Sequence, residues 1–310
     1  MASLKKPSLL VLGGTGFIGK NIIKKAAAKG WQVTSASLSS PEKKNRIKRV
    51  KYYKIDLKNL VSVKKKLNKS YNYVINLSGY INHSNFKRDY NKIMSEHFLA
   101  VKNLISIIPR KNLKKFVQIG SSAEYGFAKA PQSEKTRLSP TTTYSLAKTK
   151  TTNFLRGIHR KEKFPFAVAR LFLTYGPGQK KNRFMPQIIE GCLSNKKFPT
   201  TSGEQIRDFC YIDDTIKAIL LILVKKKAVG EVFNVASGVP IKIKNVINLV
   251  KKITGKGKPE FNRRKIRKDE NEVLYADIKK IKKMLNWKPR TKLLNGIKKT
   301  IKSLKKNDKR

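Results

Sequence analysis

Apolar and polar positions along this chain follow two alternating periods. Short apolar runs occur at "SLLVL" (8–12), "WQVTSAS" (31–37), "KYYKIDL" (51–57), "YNYVINLSG" (71–79), "KFVQIGSS" (115–122) and "FPFAVARLF" (164–172). Their length and β-branched content predict buried strands. Between them lie stretches with apolar residues every three or four positions, such as "NIIKKAAAKG" (21–30) and "TYSLAKTKTTNFLRGIHRK" (143–161), which predict helices. Repeated strand–helix units of this kind predict an α/β fold, a doubly wound parallel sheet with helices on both faces. After residue 176 the pattern turns irregular, with Gly, Pro and basic loops, and predicts a smaller C-terminal part.

The first strand runs directly into "VLGGTGFIGK" (11–20), in which Gly13, Gly16 and Gly19 stand three apart ahead of a helix. The first glycine allows a tight turn, the second lets a ligand approach the backbone, and the third allows close helix–strand packing. The N-terminus of that helix offers N–H groups and partial positive charge to a phosphate. Other candidate positions fall at strand ends, where doubly wound sheets bind ligands: Asp56 and Leu57, then Leu77, Ser78 and Gly79, then Ser121 and Ser122.

A second spacing carries chemistry. Tyr144 and Lys148, in "TTYSLAKT", are four apart and so share one helix face. A tyrosine is a poor base at its ordinary pKa, and a neighbouring ammonium stabilises its phenolate. Tyrosine can then exchange the proton of a carbinol while a nicotinamide exchanges hydride, with Ser121 available to polarise the same oxygen.

Composition narrows the field. The 310 residues suffice for a large core. Cys192 and Cys210 form no metal or disulfide pattern and point to a reducing compartment. His83, His97 and His159 are scattered, so no metal site is expected. The first apolar run feeds the glycine turn rather than a signal peptide, and "IKAILLILV" (216–224) is too short to span a bilayer. A cytoplasmic protein with no membrane partner is expected. The charge is extreme, 71 Lys+Arg against 19 Asp+Glu, a net +52. The lysines spread over almost every polar helix face and no aromatic residues interleave with them, so no specific nucleic-acid groove is expected. Salt-sensitive, non-specific polyanion binding is.

Taken in order, these segments resemble the extended short-chain dehydrogenases/reductases, the NAD-dependent epimerase/dehydratase group that modifies nucleotide sugars. "GGTGFIG" looks like that family's cofactor turn, "GSSAEYG" its serine segment and "YSLAK" its catalytic helix. "RLFLTYGPGQ", "RFMPQII", "RDFCYIDD", "FNVASGVPIKI" and "ADIKKIKKMLNWKP" resemble later landmarks. The resemblance implies a Rossmann-type dinucleotide-binding domain over residues 1–175, with 209–236 returning to it, and a mainly substrate-binding region over 176–310. It implies Tyr144 as general acid or base and Lys148 as its partner and ribose ligand. Ser121 becomes the catalytic serine, with Ser122 the one-residue alternative. Gly13, Gly16, Phe17, Ile18 and Gly19 would cradle the pyrophosphate, Asp56 and Leu57 would meet the adenine, and Leu77, Ser78 and Gly79 would line the cofactor site. Arg207 and Arg267 would bind the sugar nucleotide's diphosphate, a bidentate task that suits guanidinium. A homodimer through the Tyr144 helix is implied as well.

The departures from the family pattern shape the expectation. No acid stands at the end of the second strand, where Ser37 falls, which favours NADP over NAD. Ser122 and Ala123 occupy the Asp-Glu positions of 4,6-dehydratases, and Glu124 is out of register with them, which argues against that reaction. Leu173 and His97 stand where the family usually has asparagine. What remains is a nucleotide-diphosphate-sugar epimerase or 4-keto reductase acting at a sugar carbon, most often C4. The alternative is a non-catalytic RNA-binding or structural member of the same superfamily.

Overall fold

The computed structural model of the chain describes residues 6–79, 89–267 and 270–307. In chain order the elements are β1 (Ser8–Leu12), α1 (Phe17–Ala28), β2 (Gln32–Ser37), β3 (Val50–Lys54), α2 (Leu60–Lys66), β4 (Tyr73–Asn76), α3 (Tyr90–Met94), a π-helical turn (Ser95–Leu99), α4 (Ala100–Ile107), β5 (Lys115–Ser121) and α5 (Thr143–Glu162). They continue with β6 (Phe166–Leu171), β7 (Leu173–Tyr175), α6 (Phe184–Ser194), β8 (Lys197–Pro199), β9 (Ile206–Tyr211), α7 (Ile212–Val224), β10 (Glu231–Val235), β11 (Pro240–Lys242), α8 (Ile243–Thr254), β12 (Lys258–Glu260), β13 (Val273–Leu274), α9 (Lys279–Leu285) and α10 (Leu293–Asn307). The chain divides into two compact units, one of Met1–Glu124, Pro140–Arg170 and Ala218–Phe233, the other of Tyr125–Ser139, Leu171–Lys217 and Asn234–Arg310.

The first unit is built on a seven-stranded sheet in the order β10-β6-β5-β4-β1-β2-β3. The pairs β1–β2, β2–β3, β1–β4 and β4–β5 are all parallel, as the strand–helix alternation predicts. Leu9, Leu10, Val11 and Leu12 have no exposed surface. A strand buried on both faces must read as a continuous apolar run, and β1 does. One face packs Leu10, Leu12, Val74, Phe116 and Val168 against Val101, Leu104 and Leu155 of the helices. Strand order reverses between β1 and β4, so the glycine turn and the Leu77–Gly79 segment flank the point where such sheets open a ligand crevice.

The second unit holds a sheet in the order β11-β9-β13, with β7 also on β9, and a separate β8–β12 pair. It is more regular than the sequence pattern suggests. Helix α8 buries Ile243, Val246, Ile247 and Val250 at helical spacing and ends on Gly255 in the left-handed conformation. Asp208, fully buried on β9, is satisfied by Ser237 N and Oγ at 2.6 Å each, Gly238 N at 2.9 Å and Ala276 N at 3.3 Å.

Both cysteines are buried free thiols. Among the described residues no three His, Cys, Asp or Glu side chains group as metal ligands, and no helix is long and apolar enough to cross a membrane. His83 lies outside the described residues.

Candidate active site

The glycine turn is shaped by contacts that admit no side chain. Gly13 has φ +75°, and a Cβ there would stand 2.9 Å from the Leu77 carbonyl. A Cβ on Gly19 would meet the Gly13 oxygen at 2.4 Å. Gly16 caps α1 with no side-chain hydrogen bond, and no acid occupies the first helical turn. The backbone N–H groups of Phe17, Ile18 and Gly19 therefore begin a helix whose N-terminus carries no competing carboxylate. Ser37, at the end of β2, accepts a hydrogen bond from Thr15 N at 3.3 Å. After β3, the Asp56 carboxylate closes a local turn by accepting from Lys58 N at 2.9 Å, and Leu57 packs against the core. After β4, Asn76 accepts from Ser78 N at 3.0 Å and from the Ser78 hydroxyl, which fixes the Leu77–Gly79 turn. Gly79, at φ +118°, lies against His97, whose ring atom Cε1 would be 2.2 Å from an added Cβ. The imidazole thus fills the space beside the strand-end glycine.

Helix α5 presents Tyr144 and Lys148 on the face toward β5. It starts from a capping box in which Thr142 Oγ1 accepts from Ser145 N at 3.1 Å and Ser145 Oγ accepts from Thr142 N at 2.9 Å. Tyr144 is 8% exposed, its ring edge-on to His97 at 5.0 Å and packed with Ile93, Met94 and Ala147. Lys148 Nζ stands 5.8 Å from the Tyr144 ring centroid and donates to the Ile119 carbonyl at 3.0 Å. Burial pulls the Lys148 pKa down to about 8, against the Glu124 carboxylate, which raises it. Ser121, half-buried at the end of β5, has its Oγ at 3.2 Å from Ala123 N, from which it accepts. Ser122 is more deeply buried, at 7% exposure, and opens a 3₁₀ turn. The structure thus gathers Ser121, Tyr144 and Lys148 around the carboxyl end of β5, in the same unit as the glycine turn.

In the second unit the two predicted arginines converge on one carboxylate. Arg207, buried on β9, pairs with Glu270 and donates to the Ile206 carbonyl at 2.7 Å and the Glu272 carbonyl at 3.1 Å. Arg267, half-exposed, holds Nε at 3.6 Å from the other Glu270 oxygen. Leu173, 38% exposed, opens β7.

A family model described as the NAD dependent epimerase/dehydratase family matches residues 9–236. The chain belongs to that family. An uncharacterised UDP-glucose epimerase of Bacillus subtilis (strain 168) is 27% identical over 217 residues, covering 69% of this chain and 68% of the relative. A UDP-glucuronate 4-epimerase of Thermodesulfobacterium geofontis is 29% identical over 209 residues, but only 64% of its length is spanned. Among solved structures, the UDP-glucose 4-epimerase of Thermotoga maritima, determined with UDP-glucose, superposes with a TM-score of 0.88 at 25% identity, over 97% of this chain and 99% of that one. For an epimerase/dehydratase family member the fit of a dinucleotide can be tested on the turn itself. Gly13 and Gly19 exclude side chains from the mouth of α1, leaving a bare cradle that suits a pyrophosphate.

Two residues of the site, Thr152 and Glu270, have no reading from the sequence, and a third, Glu124, is marked there only as an acid out of register with the dehydratase pair. Glu124 is fully buried within hydrogen-bond reach of Ser121 N, Thr152 and Arg170. Thr152 extends the Tyr144–Lys148 stripe by one more helical turn, a spacing of four that was readable. Glu270 had no motif to mark it.

Proposed function

We propose that this chain carries out redox epimerisation at a carbon of a nucleotide-diphosphate sugar, C4 of a UDP-sugar, with Ser121, Tyr144 and Lys148 as its catalytic residues. The observation that carries this reading is the Tyr144–Lys148 pair beside Ser121 at the end of β5, in the unit that holds the glycine turn. The UDP-sugar epimerases among its relatives support the substrate class.

A dinucleotide held with its pyrophosphate on the N–H groups of Phe17, Ile18 and Gly19 supplies a hydride acceptor and donor. Tyr144 moves the proton of the sugar hydroxyl. The Lys148 ammonium stabilises negative charge developing on the Tyr144 oxygen and holds a ribose hydroxyl. Ser121, less buried than Ser122, donates to the sugar oxygen. Arg207 and Arg267 bind the diphosphate of the substrate. Elimination of water from the sugar is disfavoured, because Ser122 and Ala123 stand at the dehydratase acid positions and the neighbouring Glu124 carboxylate is already committed to three partners. Tyr90 and Leu99, each 45% exposed on segments packed against α5, support pairing of two copies there.

A second reading, a 4-keto reductase using NADPH, is favoured by the absence of a carboxylate after β2, where Ser37 ends the strand. The experiment that separates them incubates the protein with UDP-glucose or UDP-glucuronic acid, with and without added dinucleotide, and resolves the C4 epimers by chromatography. Epimer formation that Tyr144→Phe abolishes supports the first reading. Consumption of NADPH only with a 4-keto sugar supports the second.

A further inference from the structure

The Glu124 carboxylate lies beneath the site and joins three elements. Its Oε1 accepts from Ser121 N at 2.9 Å, at the end of β5. Its Oε2 accepts from Thr152 Oγ1 on α5 at 2.9 Å, and from Arg170 Nε and Nη2 on β6 at 3.0 and 2.9 Å. Glu124 and Arg170 have side chains 0% and 1% exposed. A Cβ on Gly120 would stand 2.6 Å from Oε1, so the strand can approach the carboxylate only because that position is glycine.

Tyr144, Lys148 and Thr152 follow at intervals of four and so form one stripe along α5. The stripe is tied to β5 at two points: Lys148 Nζ on the Ile119 carbonyl at 3.0 Å, and Thr152 through Glu124 on Ser121. A buried ion pair stabilises little by itself relative to apolar packing of the same shape. What this one adds is geometry, because a single carboxylate sets the Ser121 backbone and the axial position of the helix bearing Tyr144.

We propose that Glu124, held by Arg170, is a positioning residue that fixes Tyr144 and Lys148 in register with Ser121, with Thr152 as the link to the helix. This rests on the assignment of Ser121, Tyr144 and Lys148 given above. Glu124 has a second, electrostatic action on the same helix, since its charge favours the ammonium form of Lys148. The groups facing that ammonium are the Ile119 carbonyl on β5, the Tyr144 ring on its own helix, and Glu124 with its Arg170 partner. His97 packs against Tyr144 from the π-helical turn.

The test compares wild type with Thr152→Val, Thr152→Ser and Glu124→Gln. NADH affinity is read by fluorescence between pH 6 and 10, and turnover of the UDP-sugar is measured alongside. Thr152→Val cuts the helix link while leaving the Glu124–Arg170 pair, so it keeps the fold. It is expected to lower kcat about tenfold with KM changed less than about twofold, and Thr152→Ser restores it. In Glu124→Gln the pH at which NADH affinity falls is expected to move down by about one unit. If Glu124→Gln does not fold, the Thr152 pair decides alone. Thr152→Val with wild-type kcat, or a folded Glu124→Gln whose pH dependence superposes on wild type, overturns the proposal. A wild type that binds NADH but converts no nucleotide sugar counts against the epimerase reading, and the NADH titration still judges Glu124. A wild type that binds no NADH overturns both.

Discussion

Lys148 Nζ stands 5.8 Å from the centroid of the Tyr144 ring, one helical turn away, and is held there by the Ile119 carbonyl. The contact with β5 keeps the ammonium in a low-dielectric pocket, and burial lowers its pKa to about 8. In the proposed mechanism the ammonium form is the working form. Turnover should therefore fall as pH rises through about 8, and a pH–rate profile at saturating substrate checks it. Tyr144→Phe removes the proton-moving oxygen without changing the ring's packing on His97. It should reduce turnover by about 10²–10⁴-fold while NADH binding stays within about twofold of wild type.

The glycine turn gives a prediction of the opposite kind, in which binding fails before chemistry. Gly13→Ala places a Cβ 2.9 Å from the Leu77 carbonyl at a backbone φ of +75°. The strain should cost about 1–3 kcal/mol, read as a lower urea midpoint, together with loss of NADH affinity.

Much of this was legible in the chain. The apolar runs give the parallel strands of the first unit because strands buried on both faces are built mainly from apolar residues, and the polar ones they do bury, such as Asn76, Lys115 and Arg170, are hydrogen-bonded. The glycine spacing and the Tyr144–Lys148 spacing are local, so they can be read without knowing the fold. Glu124 could not be read in this way. Its neighbours in sequence show only that it is out of register with the dehydratase acids, and the return of β6 with Arg170 reveals a satisfied buried carboxylate. The order of the second unit is hidden in the sequence for a similar reason: its strands are short, and β7, β11 and β13 become a sheet only through pairing with β9.

Glu270 is a competitor for the two arginines that the diphosphate would use. Glu270→Gln should release Arg207 and Arg267 and tighten UDP binding by about 1 kcal/mol, roughly fivefold, as measured by calorimetry. Weaker binding would assign Glu270 the role of holding the arginines in place.

Lys115 is buried at the start of β5 and donates to the Ile222 carbonyl at 3.1 Å and to that of Lys225, satisfying the end of α7. Burial lowers its pKa to about 8 from 10.5. Between those two values the unfolded chain binds more protons than the folded one, so this residue's contribution to stability rises with pH across that window and is lost as pH falls through about 8. Lys115→Met should destabilise by about 1–3 kcal/mol near neutral pH through the abandoned carbonyls. The gap to wild type should widen between pH 8 and 10.5 in paired urea titrations.

The central claim is that the glycine turn holds a dinucleotide for the Tyr144–Lys148 pair to use. It is tested most directly by purifying the protein in high salt, which strips bound polyanions from its +52 surface, and denaturing it. Any released nucleotide is then identified by chromatography and mass, and the emptied sites are titrated with NADH and NADPH. The account predicts bound NAD, or an empty site that binds one of the two reduced dinucleotides. A protein that releases no dinucleotide and binds neither contradicts it.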